Sequence, residues 1–111
     1  MTAVDRRKRV YRRAGQGDHI DLAAPGVDVW AAASVSGVRP KTGTSFAAPF
    51  VTAAVAVALT SRGPGATALL YESAEDLGEP GKDPVYGWGL LNVQSLCGRG
   101  AEALDPTVAV D

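Results

Sequence analysis

The sequence predicts part of a layered α/β domain, and three observations point there. Residues 44–63, "TSFAAPFVTAAVAVALTSRG", form a helix-length segment with hardly any polar face. Short extended pieces lie on either side of proline and glycine stops. Thirteen glycines and seven prolines in 111 residues leave room for few long elements. With 46% hydrophobic and 21% charged residues, the composition is that of a globular chain rather than a disordered one.

Taken in chain order, Val4 closes a short strand, after which "RRKRVYRR" projects from an exposed turn. "HIDLAAPG" predicts a strand at Ile20–Ala24, stopped by Pro25 and Gly26. "VDVWAAA" predicts a second extended piece at Val27–Ala31, and "SVSGVRPKTG" a loop. The helix follows, with Thr44 or Ser45 as its expected cap and Gly63–Pro64 as its stop. Within it, Pro49 cannot donate to the Ser45 carbonyl and should bend the first turns. A shorter helix is expected over Ala66–Ala74, then a turn-rich stretch, then "LLNVQSL" as a short buried element. Residues 98–111 are small and polar enough to form a flexible tail, which leaves residues 1–97 as the domain portion.

The helix sets the scale of the parent fold. Phe46, Phe50, Val51, Val55, Val57 and Leu59 sit around most of its circumference, so it needs cover on nearly all sides. Each Val or Leu left in water forgoes about 1.5–3 kcal/mol of burial. Two strands and one short helix cannot supply that cover. The expected cover is a further part of the domain, a second chain, or self-association.

Composition excludes several classes. Cys97 is the only cysteine, so no internal disulfide and no thiolate metal site can form. The basic start is followed by "AGQGDHIDL" rather than an apolar stretch, so no secretory signal is expected. The longest apolar run, Ala53–Leu59, falls short of the roughly 20 residues that cross a bilayer, so no membrane partner is expected. The compartment stays open. Residues 1–41 carry eight Lys/Arg against four Asp/Glu, and residues 42–111 three against eight. The basic cluster at 6–13 holds one aromatic, Tyr11, and no recognised nucleic-acid fold follows it, so it is expected to be a solvated turn rather than a nucleic-acid surface.

Ser45 is the candidate catalytic residue. Gly43 permits a tight turn, and a serine at a helix N-terminus has free amides and the helix dipole beside it. A tetrahedral oxyanion formed there could accept from the Ser45 backbone N–H. Serine is equally a favoured helix cap, and on physical grounds alone both readings stand.

The stretch "GTSFAAPFVTAAVA" resembles the active-site serine segment of the subtilisin-like serine proteases. "TAVD" and "IDLAAPGVDVWAA" are similar to the two strands before it in that family, and "YGWGLLNVQSL" to the segment that closes the catalytic domain. The resemblance runs over residues 2–96 and implies a partial subtilisin-like fold, the C-terminal strands and central helix of a mainly parallel sheet domain. It implies Ser45 as nucleophile and Gly43 and Thr44 as its turn. It also implies peptide-bond hydrolysis by an Asp-His-Ser triad on a peptide or protein substrate, with no cofactor. The family's second oxyanion donor, an asparagine, lies upstream of the strand that "TAVD" finishes and is absent here, as are its His and Asp. His19, followed by Asp21, stands where the family has an ordinary strand-start residue. Phe50 replaces a common His, and Thr52-Ala53 a common Ala-Gly. No carboxylate cluster has calcium-ligand spacing. The chain is therefore expected to supply the nucleophile segment of a serine endopeptidase and to be inactive alone. The alternative is an inactive remnant kept as a structural or interaction protein.

Overall fold

The computed structural model describes residues 1–33, 35 and 37–94. The expected tail at 98–111, Cys97 and the end of "LLNVQSL" lie outside the described residues. The elements are β1 (Thr2–Val4), β2 (Ala23–Pro25), β3 (Val29–Ala33), β4 (Gly37–Lys41), α1 (Thr44–Arg62), a 3-10 turn at Gly63–Gly65, and α2 (Ala66–Ser73).

β1 and β2 pair in parallel, Thr2 opposite Ala23 and Val4 opposite Pro25. On the other edge of β2, Ala23 N–H donates to the Gly89 carbonyl at 2.9 Å and Leu91 N–H to the Ala23 carbonyl at 2.8 Å. Leu90 thus runs parallel to β2, and its own amide and carbonyl pair with Glu75 beyond it. Beside β1 the chain returns antiparallel, with Val10 opposite Val4. The sheet is therefore assembled from segments remote in sequence.

α1 lies on this sheet through small side chains. Ala3, Ala24 and Ala47 form one buried cluster, while Leu22, Ala54, Ala58, Ala66 and Leu70 form a second that joins α1 to α2. Alanine at these points lets helix and sheet backbones approach closely. The outer face of α1 lies open: Phe50, Val57 and Leu59 are exposed, the last two by 52% and 53%. Pro25, Pro49, Phe50, Ala53, Val57 and Leu91 border an apolar groove of about 520 Å³.

Several expectations need correction. The first strand pair is shifted: Ile20 and Leu22 are buried, but the ladder begins at Ala23. The second extended piece falls at Val29–Ala33 rather than Val27–Ala31. The expected loop contains β4, which pairs antiparallel with β3, Trp30 opposite Pro40. Proline is tolerated there because β4 is an edge strand. The helix cap is Gly43, with no side-chain cap bond, because Thr44 and Ser45 are already helical. The close of the described chain is less buried than expected, with Leu91 half-buried and Val93 exposed.

The helical stretch Thr44–Ser73 is apolar and long enough to cross a membrane by length and composition, more so than the run Ala53–Leu59 suggests. Gly63–Gly65 divides it, and α1 and α2 pack against each other through Ala54, Ala58, Ala66 and Leu70.

Candidate active site

The site begins with a tether between sheet and helix. Gly26 leaves β2 and donates its N–H to the Val4 carbonyl at 3.1 Å, while its own carbonyl accepts the Gly43 N–H at 2.8 Å. No side chain fits at Gly26. A Cβ there would stand 2.5 Å from the Ala3 Cβ, 2.8 Å from the Gly43 carbonyl oxygen and 3.0 Å from the Ala47 Cβ. Gly43 then turns the chain at φ 153°, ψ 161°, in the region glycine favours. A second tether fixes the approach, since the Thr42 hydroxyl accepts the Asp28 N–H at 3.0 Å.

This arrangement leaves Ser45 in the first turn of α1 with its side chain exposed. The Phe46 N–H donates to the Gly43 carbonyl at 3.0 Å. Among the described residues, neither the Ser45 hydroxyl nor its backbone N–H has a hydrogen-bond partner. First-turn amides have no intrahelical acceptor, so the Ser45 N–H faces outward as a free donor. Pro49 lies inside α1 and leaves the Ser45 carbonyl without its helical donor.

Among the described residues, no base reaches the hydroxyl. General-base activation needs a partner within about 2.6–3.2 Å. His19 is exposed in the loop before Ile20, its ring packed over Gly15 and Gly17, and it makes no hydrogen bond to Ser45. Asp21 instead faces Lys82, at 3.4 Å. Gly26 is the residue that sequence reasoning undervalued: read only as a strand stop, it is the contact that seats the helix start. The dipeptide Pro25-Gly26 marks the turn but says nothing of the neighbour that needs the space.

A glycine-entered helix lying over a parallel ladder, with an exposed serine in its first turn, defines a layered α/β domain. The chain belongs to the Subtilase family, whose sequence profile matches residues 2–89. It is 42% identical over 80 residues to serotype-specific antigen 1 of Mannheimia haemolytica, covering 67% of this chain and 8% of that protein. A lanthipeptide protease crystal structure superposes with a TM-score of 0.72 at 22% identity, over 88% of this chain and 40% of that one. The patellamide maturation protease PatA gives 0.65 at 28% identity, over 84% and 39% respectively. The chain thus spans about 40% of these structures and a far smaller share of the antigen. The partial subtilisin-like fold expected from the resemblance is the fold observed.

Proposed function

We propose that this chain supplies the nucleophile segment of a subtilisin-like serine endopeptidase. Ser45 attacks the scissile peptide carbonyl, forming the C–O bond of a tetrahedral intermediate as its proton passes to a histidine. The Ser45 backbone N–H donates to the resulting oxyanion, and Gly43 and Thr44 set the turn that aims it. The histidine, its orienting aspartate and the second oxyanion donor come from the remaining part of a subtilase domain. That part packs on the open face of α1 and its groove, in keeping with the 40% share of the matched protease structure that this chain covers. By itself the chain is inert, because a neutral serine hydroxyl is a poor nucleophile without its base.

The observation that supports this reading is the free Ser45 hydroxyl. A capping serine stands before the helix and bonds back to its amides, whereas Ser45 is inside the helix and bonds to nothing described. The test is a chimera in which residues 2–89 replace the corresponding segment of an active subtilase. A fluorophosphonate probe should label Ser45 in the folded chimera and leave the chain alone unlabelled. Ser45→Ala should lower peptide hydrolysis by roughly 10⁶-fold, the scale on which a serine protease depends on its nucleophile. Labelling of Ser45 in the isolated chain, or hydrolysis that survives Ser45→Ala, would refute the proposal.

A further inference from the structure

The basic cluster at residues 6–13 is not a loosely solvated run. The Asp5 carboxylate accepts the Arg7 N–H at 2.8 Å and the Arg9 N–H at 3.0 Å. The Lys8 N–H donates to the Asp5 carbonyl at 3.0 Å, and Val10 returns beside Val4. These bonds order a tight turn that sets the arginines across a cleft from the β3–β4 hairpin. Arg6, Arg7, Arg9, Asp28, Trp30 and Pro40 line a cleft there of about 580 Å³. Arg9 is paired with Asp5 at 3.3 Å, but the guanidinium groups of Arg6 and Arg7 have no partner among the described residues. Trp30 is 67% exposed on the cleft wall. Tryptophan and arginine are the residues that most often dominate binding surfaces.

We propose that this cleft binds an acidic stretch of polypeptide and acts as a substrate-docking site beside Ser45. Unpaired guanidinium groups take carboxylates in forked, two-bond geometry. Trp30 offers a flat apolar wall for the peptide's aliphatic atoms. The cleft also contains Asp5 and Asp28, with the Asp28 carboxylate exposed. A mixed lining suits a polypeptide, which brings N–H donors along with its carboxylates. It suits a uniformly anionic polymer poorly, because each aspartate repels a phosphate. Pro40 lies five residues before Ser45 in the chain, so the two are at most about 18 Å apart. An extended peptide covers that span in about five residues, which puts the acidic stretch within that reach of the scissile bond. The word substrate rests on the protease reading; the binding itself does not.

The test uses the 111-residue chain and a fluorescein-labelled nonapeptide of alternating Glu and Gly, followed by anisotropy. An otherwise equal Gln-Gly peptide serves as comparison. The acidic peptide should bind, the Gln peptide should not, and added salt should weaken the complex. Trp30→Ala, and separately Arg6→Ser combined with Arg7→Ser, should each weaken it about tenfold, while Arg62→Ser at the far end of α1 should leave it unchanged. All these side chains are exposed, and circular dichroism checks that each variant keeps its fold. Absence of binding, equal binding of the Gln peptide, or indifference to Trp30→Ala would overturn the proposal. Tighter binding of a single-stranded oligonucleotide or of phosphatidylserine vesicles would overturn it too. Ser45 labelling in the chimera does not require Trp30, so either idea can fail alone.

Discussion

Replacing Gly26 with alanine would push a methyl group into a space already filled from three sides. The new Cβ would meet the Ala3 Cβ at 2.5 Å, the Gly43 carbonyl at 2.8 Å and the Ala47 Cβ at 3.0 Å. None of these is the tip of a flexible side chain. Relief requires moving β1, the helix entry or α1 itself. Overpacking of well-filled sites costs about 1–3 kcal/mol, and three backbone-anchored contacts put this one near 3 kcal/mol. Urea unfolding followed by circular dichroism reads the effect. With a slope of about 1.5 kcal/mol per molar, the midpoint should fall by about 2 M, or the variant should be unfolded without urea. Gly65→Ala is the internal control, since a Cβ there meets nothing within 4 Å among the described residues. It should be neutral or stabilising by about 0.4–1 kcal/mol, through loss of unfolded-state freedom. A Gly26→Ala midpoint equal to that of Gly65→Ala would sink the argument that this contact seats the helix start.

Ser45→Ala in the isolated chain should change unfolding stability by less than about 0.5 kcal/mol, because the hydroxyl bonds to nothing described; a loss of about 1 kcal/mol would instead mark a capping serine. The Arg9 backbone N–H, with the Arg7 N–H and the Arg9 guanidinium, holds the Asp5 carboxyl below its ordinary value of 3.8. A depressed value in the folded state means the turn's stabilising contribution is complete above 3.8 and fades as pH falls through the lower folded value. Wild type should therefore exceed Asp5→Asn in stability at neutral pH, with the gap closing under acid titration monitored by circular dichroism.

The sequence made the helix and its stops legible because they depend on local chemistry. The apolar segment stops where Gly63 follows it, and α1 ends at Arg62 with Gly63 as its cap; the start lies earlier than the sequence suggests, since Gly43 is the cap where Thr44 or Ser45 is expected. The serine segment was legible for a similar reason, being one contiguous stretch. Strand limits were less so. Ile20 and Leu22 are as apolar as any ladder residue, yet pairing begins at Ala23, where β1 and Leu90 supply partners from distant positions. β4 escaped notice because "GVRPK" has turn-like composition and becomes a strand only through its pairing with β3. Nothing in the residue types at 6–13 reveals the Asp5 bonds that organise them. That turn exists because one carboxylate accepts two amides, a matter of geometry rather than composition.

The ladder that joins Thr2, Ala23 and Leu90 also has a consequence for how the chain acquires its shape. α1 needs only neighbouring residues to coil, whereas its sheet support must be gathered from both ends of the described chain. Contacts so distant are slow to form, because closing long loops precedes any gain from pairing. Helix formation should therefore run ahead of sheet assembly. Until the sheet segments pair, the sheet-facing side of the helix stands in water along with its open side, the interval in which the chain is most prone to aggregate.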